Sequence, residues 1–378
     1  MEERRGSTFS PDQCMAAADS ITSKVLHVLI LTNQEIEQVL KMDECMSILE
    51  EMYRDFAQGK ALFMPRVDNI LPCNHEGAYY GFKHMGGGWP LHKTMAMRVN
   101  SDIITHPSVR DQLRRVKVPA AQDRWVGLIF LFSTETGELL AIFPDGVAQR
   151  MRVGATSGLG VKYLAREDSR RAGIIGSGWQ AGAQILALLV ARPIEEIKVF
   201  SLRKESRETF AREMSQRTGV KIDPVDSAEE CVRKADIVLA ATSSLVPVIR
   251  AEWLNKGMHV SCITSYEIDK PVLERCQRIV VHTKYQEKPV NNVLSGTEHV
   301  PAQYFERGIA PENSPDLADL IVGREPGRTG ASEITCFLNR MGLGLQFAAL
   351  GALILEKAKQ FGLGKELPPE WFSEDVHP

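Results

Sequence analysis

The run Arg171-Ala172-Gly173-Ile174-Ile175-Gly176-Ser177-Gly178-Trp179-Gln180-Ala181-Gly182 carries the strongest chemical signal in the chain. An apolar stretch of strand length breaks there into a glycine turn that opens a helix. Gly176 permits the tight turn, Gly178 lets the backbone approach an anion with no Cβ in the way, and Ala181 is small enough for helix and strand to pack closely. The N–H groups of the first turn, from Ser177 through Trp179 and Gln180, lack helical acceptors and can face an anion. As a unit the pattern suits the pyrophosphate of a dinucleotide. A bare turn is the competing reading, and the flanking elements weigh against it.

Those elements alternate. Ala183 to Ala191 reads as an apolar helix, Ile197 to Ser201 as a short strand, and Glu205 to Thr218 as a charged helix ended by Gly219. Val220 to Ile222 follows as a short strand, then a helix from Ala228 to Ala235 and a strand from Asp236 to Ala241. His259 to Ile263 and Arg278 to His282 have the length and β-branched content of buried parallel strands. The β-α-β-α-β beat predicts a Rossmann-type doubly wound parallel sheet from Gly173 to about His282.

The second strand ends in Phe200-Ser201-Leu202-Arg203-Lys204, with no carboxylate to hold ribose hydroxyls. A hydroxyl and two cations suit a 2′-phosphate, so NADP(H) is expected over NAD(H). Arg203 and Lys204 opening a solvated helix is the alternative. Thr242 and Ser243 follow the strand at Asp236, at the carboxyl edge where cofactors lie, or else cap a following helix.

With 378 residues, 44% hydrophobic, the chain is large enough for two domains. A net charge of −3 gives no basic footprint for nucleic acid or an anionic membrane. No apolar run reaches spanning length, and Met1 to Ser23 reads as a polar mobile leader without a signal-peptide core. The seven cysteines lack C-x-x-C spacing and suit a reducing, cytoplasmic setting. No histidine spacing suggests a metal site. Small molecules and a second copy of the chain are the expected partners.

Elsewhere, Gln34 to Gln58 is a helical pattern ended by Gly59, and Trp125 to Phe132 turns at Thr136-Gly137 into Leu139 to Phe143 as a hairpin. Gly86-Gly87-Gly88 reads as a flexible turn near a substrate mouth, with Trp89 shaping the pocket or anchoring the turn. Glu333 to Leu338 is a strand. Met341 to Phe361 is an apolar helix that needs cover from the first domain or a second subunit. The expected division is a leader (1–23), a nucleotide domain (147–339), and a substrate-binding and dimerisation domain from both flanks (24–146 and 340–378).

Several ordered motifs carry a resemblance: Arg66 in Met-Pro-Arg, Lys93 in His-Lys-Thr-Met-Ala-Met-Arg-Val-Asn, Thr136-Gly137-Glu138-Leu139-Leu140-Ala141, Arg152-Val153-Gly154-Ala155, the glycine turn, and Gly323-Arg324 to Arg328. From about Leu29 onward the chain resembles the ornithine cyclodeaminase/mu-crystallin family. The resemblance implies a homodimer with a discontinuous α+β domain around a central nucleotide domain. It implies that Arg66, Lys93 and Arg152 gather around the carboxylate of an amino- or imino-acid substrate beside a nicotinamide, with Lys93 catalytic. Guanidinium forks would hold the carboxylate, and a lysine of depressed pKa would handle the proton. By the same resemblance Arg152, Val153, Thr242, Ser243, Asn339 and Met341 lie near the cofactor.

One departure bears on the reaction. Cyclodeaminases of the family carry an aspartate in a turn after the fifth strand, whereas this chain reads Ile263-Thr264-Ser265-Tyr266-Glu267-Ile268-Asp269. Glu267 either takes the acid role or begins the next helix, where a carboxylate is favoured. Arg152-Val153-Gly154-Ala155 also lacks the hydroxyl of the usual R-T-A-A. An NAD(P)H-dependent imine reductase, or amino-acid dehydrogenase in reverse, is therefore expected. A cyclodeaminase using NAD as an internal relay and a non-catalytic NADPH-dependent binding protein are the alternatives.

Overall fold

The computed structural model describes residues 27–109, 112–264, 266–284, 290–298, 300, 311 and 313–376; the expected leader lies outside them. The chain starts with β1 (Val28–Ile30), α1 (Asn33–Val39) and α2 (Met42–Ala57). Thr32 and Glu35 form a capping box at the start of α1, which satisfies two otherwise orphaned N–H groups. The single helix expected from Gln34 to Gln58 is two helices, because Leu40 and Lys41 are both extended. α2 buries Cys45, Leu49, Met52 and Tyr53 along one face.

An antiparallel run follows: β2 (Val67–Pro72), β3 (Ala78–Trp89), β4 (Thr94–Thr105), β5 (Val126–Ser133) and β6 (Leu139–Pro144). β5 and β6 are the expected hairpin. In β4 the alternation is strict. Thr94, Ala96, Arg98, Asn100, Asp102 and Ile104 are buried, and Met95, Met97, Val99 and Ile103 are only half-buried. The charged side chains thus point inward.

Gly86-Gly87-Gly88 is not a loop but the interior of β3, fully paired with β4. A Cβ on Gly87 would stand 2.4 Å from the backbone nitrogen of Leu345, and one on Gly86 2.8 Å from the Ala96 carbonyl oxygen, so these two glycines permit close backbone approach. Trp89 is fully buried and its indole N–H donates to Asp55 Oδ2 at 2.9 Å. It anchors the end of β3.

α3 (Asp145–Leu164) is buried over most of its length and leads into the second sheet. That sheet is built from β7 (Arg171–Ile175), α4 (Trp179–Ala191), β8 (Glu196–Phe200), α5 (Lys204–Thr218), β9 (Lys221–Pro224), β10 (Ile237–Ala240), β11 (His259–Cys262) and β12 (Arg278–Val281). The chain then leaves it. β13 (Val290–Val293) runs parallel to β2 in the first sheet, before β14 (Thr335–Leu338) returns between β11 and β12. A boundary at 147–339 therefore misses an excursion: β13 belongs to the flanking domain.

All seven strands of the second sheet are parallel, in the order β9-β8-β7-β10-β11-β14-β12. This is the expected α/β Rossmann-type architecture, and the strand order reverses between β7 and β10. α6 (Leu345–Phe361) packs across β3 and β4, so its apolar face is covered by the first domain of the same chain. Leu350 and Ile354 are fully buried there, each stabilising by roughly 1.5–3 kcal/mol. β15 (Lys365–Leu367) pairs with β1 and ends the first sheet. Among the described residues no helix is long and apolar enough to cross a membrane.

Candidate active site

The glycine turn sits at the switch point between β7 and β10. Gly176 has φ +116°, and a Cβ there would lie 2.2 Å from the Ala241 carbonyl oxygen, so only glycine fits. Gly178 precedes α4 as its cap, and nothing beyond its chain neighbours comes within 4 Å of where its Cβ would be. Ala181 is fully buried. Ser177 Oγ donates to Ser201 Oγ at 2.8 Å, Gln180 Nε2 donates to Gln149 Oε1 at 2.7 Å, and the Arg150 guanidinium lies 3.8 Å over the half-exposed Trp179 ring. A helix start with an open cradle at the carboxyl edge of parallel strands fits a dinucleotide pyrophosphate. Arg203 and Lys204 are exposed where α5 begins, and Ser201 Oγ also donates to the Arg203 carbonyl at 3.3 Å.

Thr242 and Ser243 form a turn rather than a helix cap. Thr242 Oγ1 accepts from Ser244 N at 3.1 Å, and Thr242 N donates to Glu267 Oε1 at 2.5 Å. Glu267 also accepts from Ile263 N at 2.9 Å and Thr264 N at 3.0 Å. Burial raises its pKa despite these donors. The helix that follows, Lys270–Glu274, is capped by Asp269. Glu267 therefore does not begin that helix; it ties the ends of β10 and β11 together.

The inner side of the first sheet holds a charged cluster. Arg66 grips Asp68 with two hydrogen bonds, Nε to Oδ1 at 2.6 Å and Nη2 to Oδ2 at 2.8 Å. Burial opposes ionisation of Asp68, and the Arg66 guanidinium outweighs it, holding the carboxyl below its usual range. Arg98 Nε donates to Asp145 Oδ2 at 2.7 Å, and Asn100 Nδ2 donates to the same oxygen at 3.0 Å. Lys83 is buried directly across from Asp68 on one side and Asn100 on the other. The cluster reaches the nucleotide turn through Arg115, whose N–H donates to the Ser243 carbonyl at 3.4 Å.

Arg152, on α3, stands over the Phe347 ring at 5.4 Å, as Arg98 does at 5.6 Å. A Cβ on Gly342 would overlap its Nη1 at 1.8 Å, so the backbone is pressed against the guanidinium. Nη1 donates to Gln346 Oε1 at 3.2 Å. Gln346 Nε2 donates to Tyr53 Oη at 3.0 Å and to Thr156 Oγ1 at 2.6 Å. The Met341 carbonyl can only accept, so His282 donates to it from Nδ1 at 2.6 Å and its Nε2 accepts a hydrogen bond from the Tyr53 hydroxyl at 2.5 Å. This polarity requires a neutral His282, and burial with Arg152 nearby pushes its pKa down to about 4.

Arg152 is 7% exposed, and among the described residues it forms no ion pair with a carboxylate. Burial first, and then Arg98, lowers its pKa to about 9. A buried guanidinium with a neutral amide as its side-chain partner is costly unless an anion joins it.

The structure brings Arg66 and Arg152 to one cluster but not Lys93. Lys93 sits at the β3–β4 hairpin in the left-handed region (φ +56°), with its side chain 61% exposed and its Nζ 2.9 Å from Glu135 Oε1. Val153 is buried beside Arg152. Asn339 donates to the Val153 carbonyl at 2.9 Å and to Ser157 Oγ at 2.8 Å, tying β14 to α3. Met341 contributes its carbonyl to His282. Lys83, Arg98, Asp145, Tyr53, His282 and Gln346 escaped the sequence reading. One signal was present: Arg98, Asn100 and Asp102 alternate with Met97, Val99 and Ile103, the period-two mark of a strand with a polar face.

The fold is an α/β protein whose parallel sheet carries a glycine turn at its carboxyl edge, and whose first sheet carries a charged cluster that reaches that edge through Arg115. The sequence profile of the ornithine cyclodeaminase/mu-crystallin family matches residues 115–361, and the chain belongs to that family. It is 30% identical to alanine dehydrogenase of Archaeoglobus fulgidus over 90% of this chain and 98% of that one. The structure of Delta(1)-pyrroline-2-carboxylate reductase from Thermococcus litoralis, in complex with NADH and L-proline, aligns with a TM-score of 0.71 at 26% identity, covering 90% and 100% of the two chains. An archaeal alanine dehydrogenase dimer with bound NAD aligns with a TM-score of 0.71 at 28% identity, covering 90% and 99%.

Proposed function

We propose that this chain is an NAD(P)H-dependent oxidoreductase. It reduces an imine, cyclic or formed from a 2-oxo acid and an amine, to an α-amino acid, or runs the reverse dehydrogenation. The carrying observation is Arg152: buried, fixed by Gln346, and without a carboxylate partner among the described residues. It is a ready seat for a substrate carboxylate, with Arg66 in the same cluster. The nicotinamide, when bound, supplies or accepts the hydride. Holding the carboxylate fixes the neighbouring carbon against it. Family membership and the dehydrogenase and reductase relatives support this reading. The cyclodeaminase alternative is disfavoured by Glu267, whose carboxylate is engaged with three backbone N–H groups.

Two finer points belong to the same proposal. NADP(H) is preferred, because β8 is followed by Ser201, Arg203 and Lys204, with no carboxylate before Glu205 inside α5. The working unit is a homodimer that covers the outer face of the first sheet, where Phe82, Met97, Val99, Ile103, Leu128 and Phe130 are only half-buried. The deciding experiment follows nicotinamide absorbance with NADPH or NADH across 2-oxo acids plus ammonia or methylamine, and cyclic imino acids. Oxidation that requires the amine or cyclic imine supports the proposal. Ammonia release from ornithine without net oxidation of NADPH or NADH would replace it with the cyclodeaminase.

A further inference from the structure

Three thiols converge on one face of the parallel sheet. Cys262 of β11 and Cys336 of β14 are fully buried there, in an apolar cluster with Val272 and Leu273 of the helix Lys270–Glu274. Cys276, just past that helix, is half-buried against the same cluster. Backbone pairing holds Cys276 beside Cys336: Gln277 N donates to the Ile334 carbonyl at 2.9 Å, Gln277 Oε1 accepts from Ile334 N at 2.8 Å, and Cys336 pairs with Ile279 in the ladder. The Cys276 S–H donates to the Val272 carbonyl at 3.2 Å. Its sulfur is left to accept, and the Cys336 thiol donates to it.

These two cysteines also mark the ends of the excursion between the sheets. From Cys276 the chain forms β12, adds β13 beside β2 in the first sheet, and returns through Cys336 in β14. Within it Val290 N donates to the Arg66 carbonyl at 3.2 Å. The Gln277–Ile334 hydrogen bonds close the base of this long loop without a covalent link.

We propose that Cys276 and Cys336 form a redox-modification site, at which a hydroperoxide converts the two thiols to a disulfide that staples the base of the β13 excursion. The staple does not depend on which reaction the protein catalyses. Cys276 is attacked first, because it is the more accessible sulfur. The hydrogen bond to Cys276, then burial, hold the Cys336 thiol well above its ordinary range, so Cys336 keeps its proton until the second step. In the first step Cys276 loses its proton and its sulfur attacks a peroxide oxygen. An S–O bond forms, the O–O bond breaks, and the departing hydroxide takes up the proton to leave as water. The Cys336 sulfur then displaces the sulfenic oxygen: the S–S bond forms, the S–O bond breaks, and the Cys336 proton leaves with the oxygen as a second water. Two thiols are oxidised and one hydrogen peroxide is reduced to two waters. Closing the loop covalently restricts the unfolded chain, so the oxidised protein should resist unfolding.

Hydrogen peroxide itself is the probe. The full-length protein is treated with peroxide, denatured in N-ethylmaleimide to block remaining thiols, and digested without reduction for mass spectrometry. A peptide linking Cys276 to Cys336 is expected, with two thiols lost and both restored by dithiothreitol. Cys336→Ala should leave a sulfenic acid on Cys276 that dimedone traps, and Cys276→Ser should leave Cys336 reduced. If either variant fails to fold, the map of the natural protein still decides. The oxidised natural protein should unfold at higher urea than the reduced one, and Cys276→Ser should abolish that difference. Recovery of both residues as N-ethylmaleimide adducts, or linkage of Cys276 to Cys262 instead, overturns the assignment. A Cys276–Cys336 link with an unchanged urea midpoint overturns the staple.

Discussion

Arg152 and Gln346, 194 residues apart, meet in the interior with Nη1 donating to Oε1 at 3.2 Å. Each hydrogen bond beyond them has one possible direction. The Met341 carbonyl fixes the His282 tautomer, His282 fixes the Tyr53 hydroxyl, and Tyr53 with Thr156 fixes the Gln346 amide. The guanidinium is thus oriented before any substrate arrives, which is where preorganised binding draws its advantage.

Replacing that guanidinium should damage substrate binding selectively. Arg152→Lys keeps a charge but loses the fork, and a charge-assisted hydrogen bond contributes about 1.5–3 kcal/mol. KM for a carboxylate substrate should rise roughly tenfold to a hundredfold, with NADPH affinity within about twofold. Steady-state kinetics and a fluorescence titration check both halves. An unchanged KM would remove Arg152 from the site.

Tyr53→Phe deletes the hydroxyl between His282 and Gln346 and strands two buried polar groups. Stability should fall by about 1–3 kcal/mol, read from urea unfolding. KM should also rise, because Gln346 loses one of the two groups that orient it. A stability loss with KM unchanged would make the network purely structural.

Gly178→Val tests the cofactor seat without touching the core. Nothing beyond the chain neighbours lies within 4 Å of the added Cβ, and the backbone there is extended, so the variant should fold with little change in melting temperature. The side chain would enter the space required by a pyrophosphate, and NADPH binding should weaken by at least about 100-fold. Near-normal binding would place the dinucleotide elsewhere.

For cofactor choice, Arg203→Glu puts a carboxylate at the end of β8. NADPH affinity should drop about tenfold or more, with NADH affinity little changed or improved. Equal effects on the two cofactors would end the case for a 2′-phosphate site.

Acid should weaken the fold through two buried imidazoles. Burial lowers His282 to about 4, and burial with Arg328 and Arg192 lowers His259 to about 3. Both folded values lie below the ordinary histidine value of about 6.5, so the unfolded chain binds protons first as pH falls. Their contribution is complete above about pH 6.5 and is lost progressively down to about pH 4 and pH 3, on the order of 3 kcal/mol or more for each. Urea unfolding between pH 8 and pH 5 should show stability declining below pH 6.5. In His282→Gln that slope should be shallower.

Local grammar determined the nucleotide unit. Strand, glycine turn and helix recur within short windows, and each is governed by neighbours in sequence, so β7 to β12 were legible from spacing alone. The same grammar failed where partners are distant. Gly86-Gly87-Gly88 has the composition of a loop, and only its pairing with β4, under the close approach of Leu345, makes it strand. β13 has no local sign that it will pair with β2, more than two hundred residues earlier. Family resemblance supplied Arg66 and Arg152, whose motifs are compact, and it selected Lys93 because that lysine also lies in a recognisable run.

The sequence by itself thus determined the fold class and the glycine turn of the nucleotide unit, because propensity, turn chemistry and motif spacing are local properties. The tertiary structure alone decided which cations share a site. Strand register and pleat turn Lys83 and Arg98 inward and leave Lys93 at an exposed hairpin. Charge compensation depends on the distances that result: Asp68 pairs with Arg66, Asp145 pairs with Arg98, and Arg152 has no carboxylate partner among the described residues.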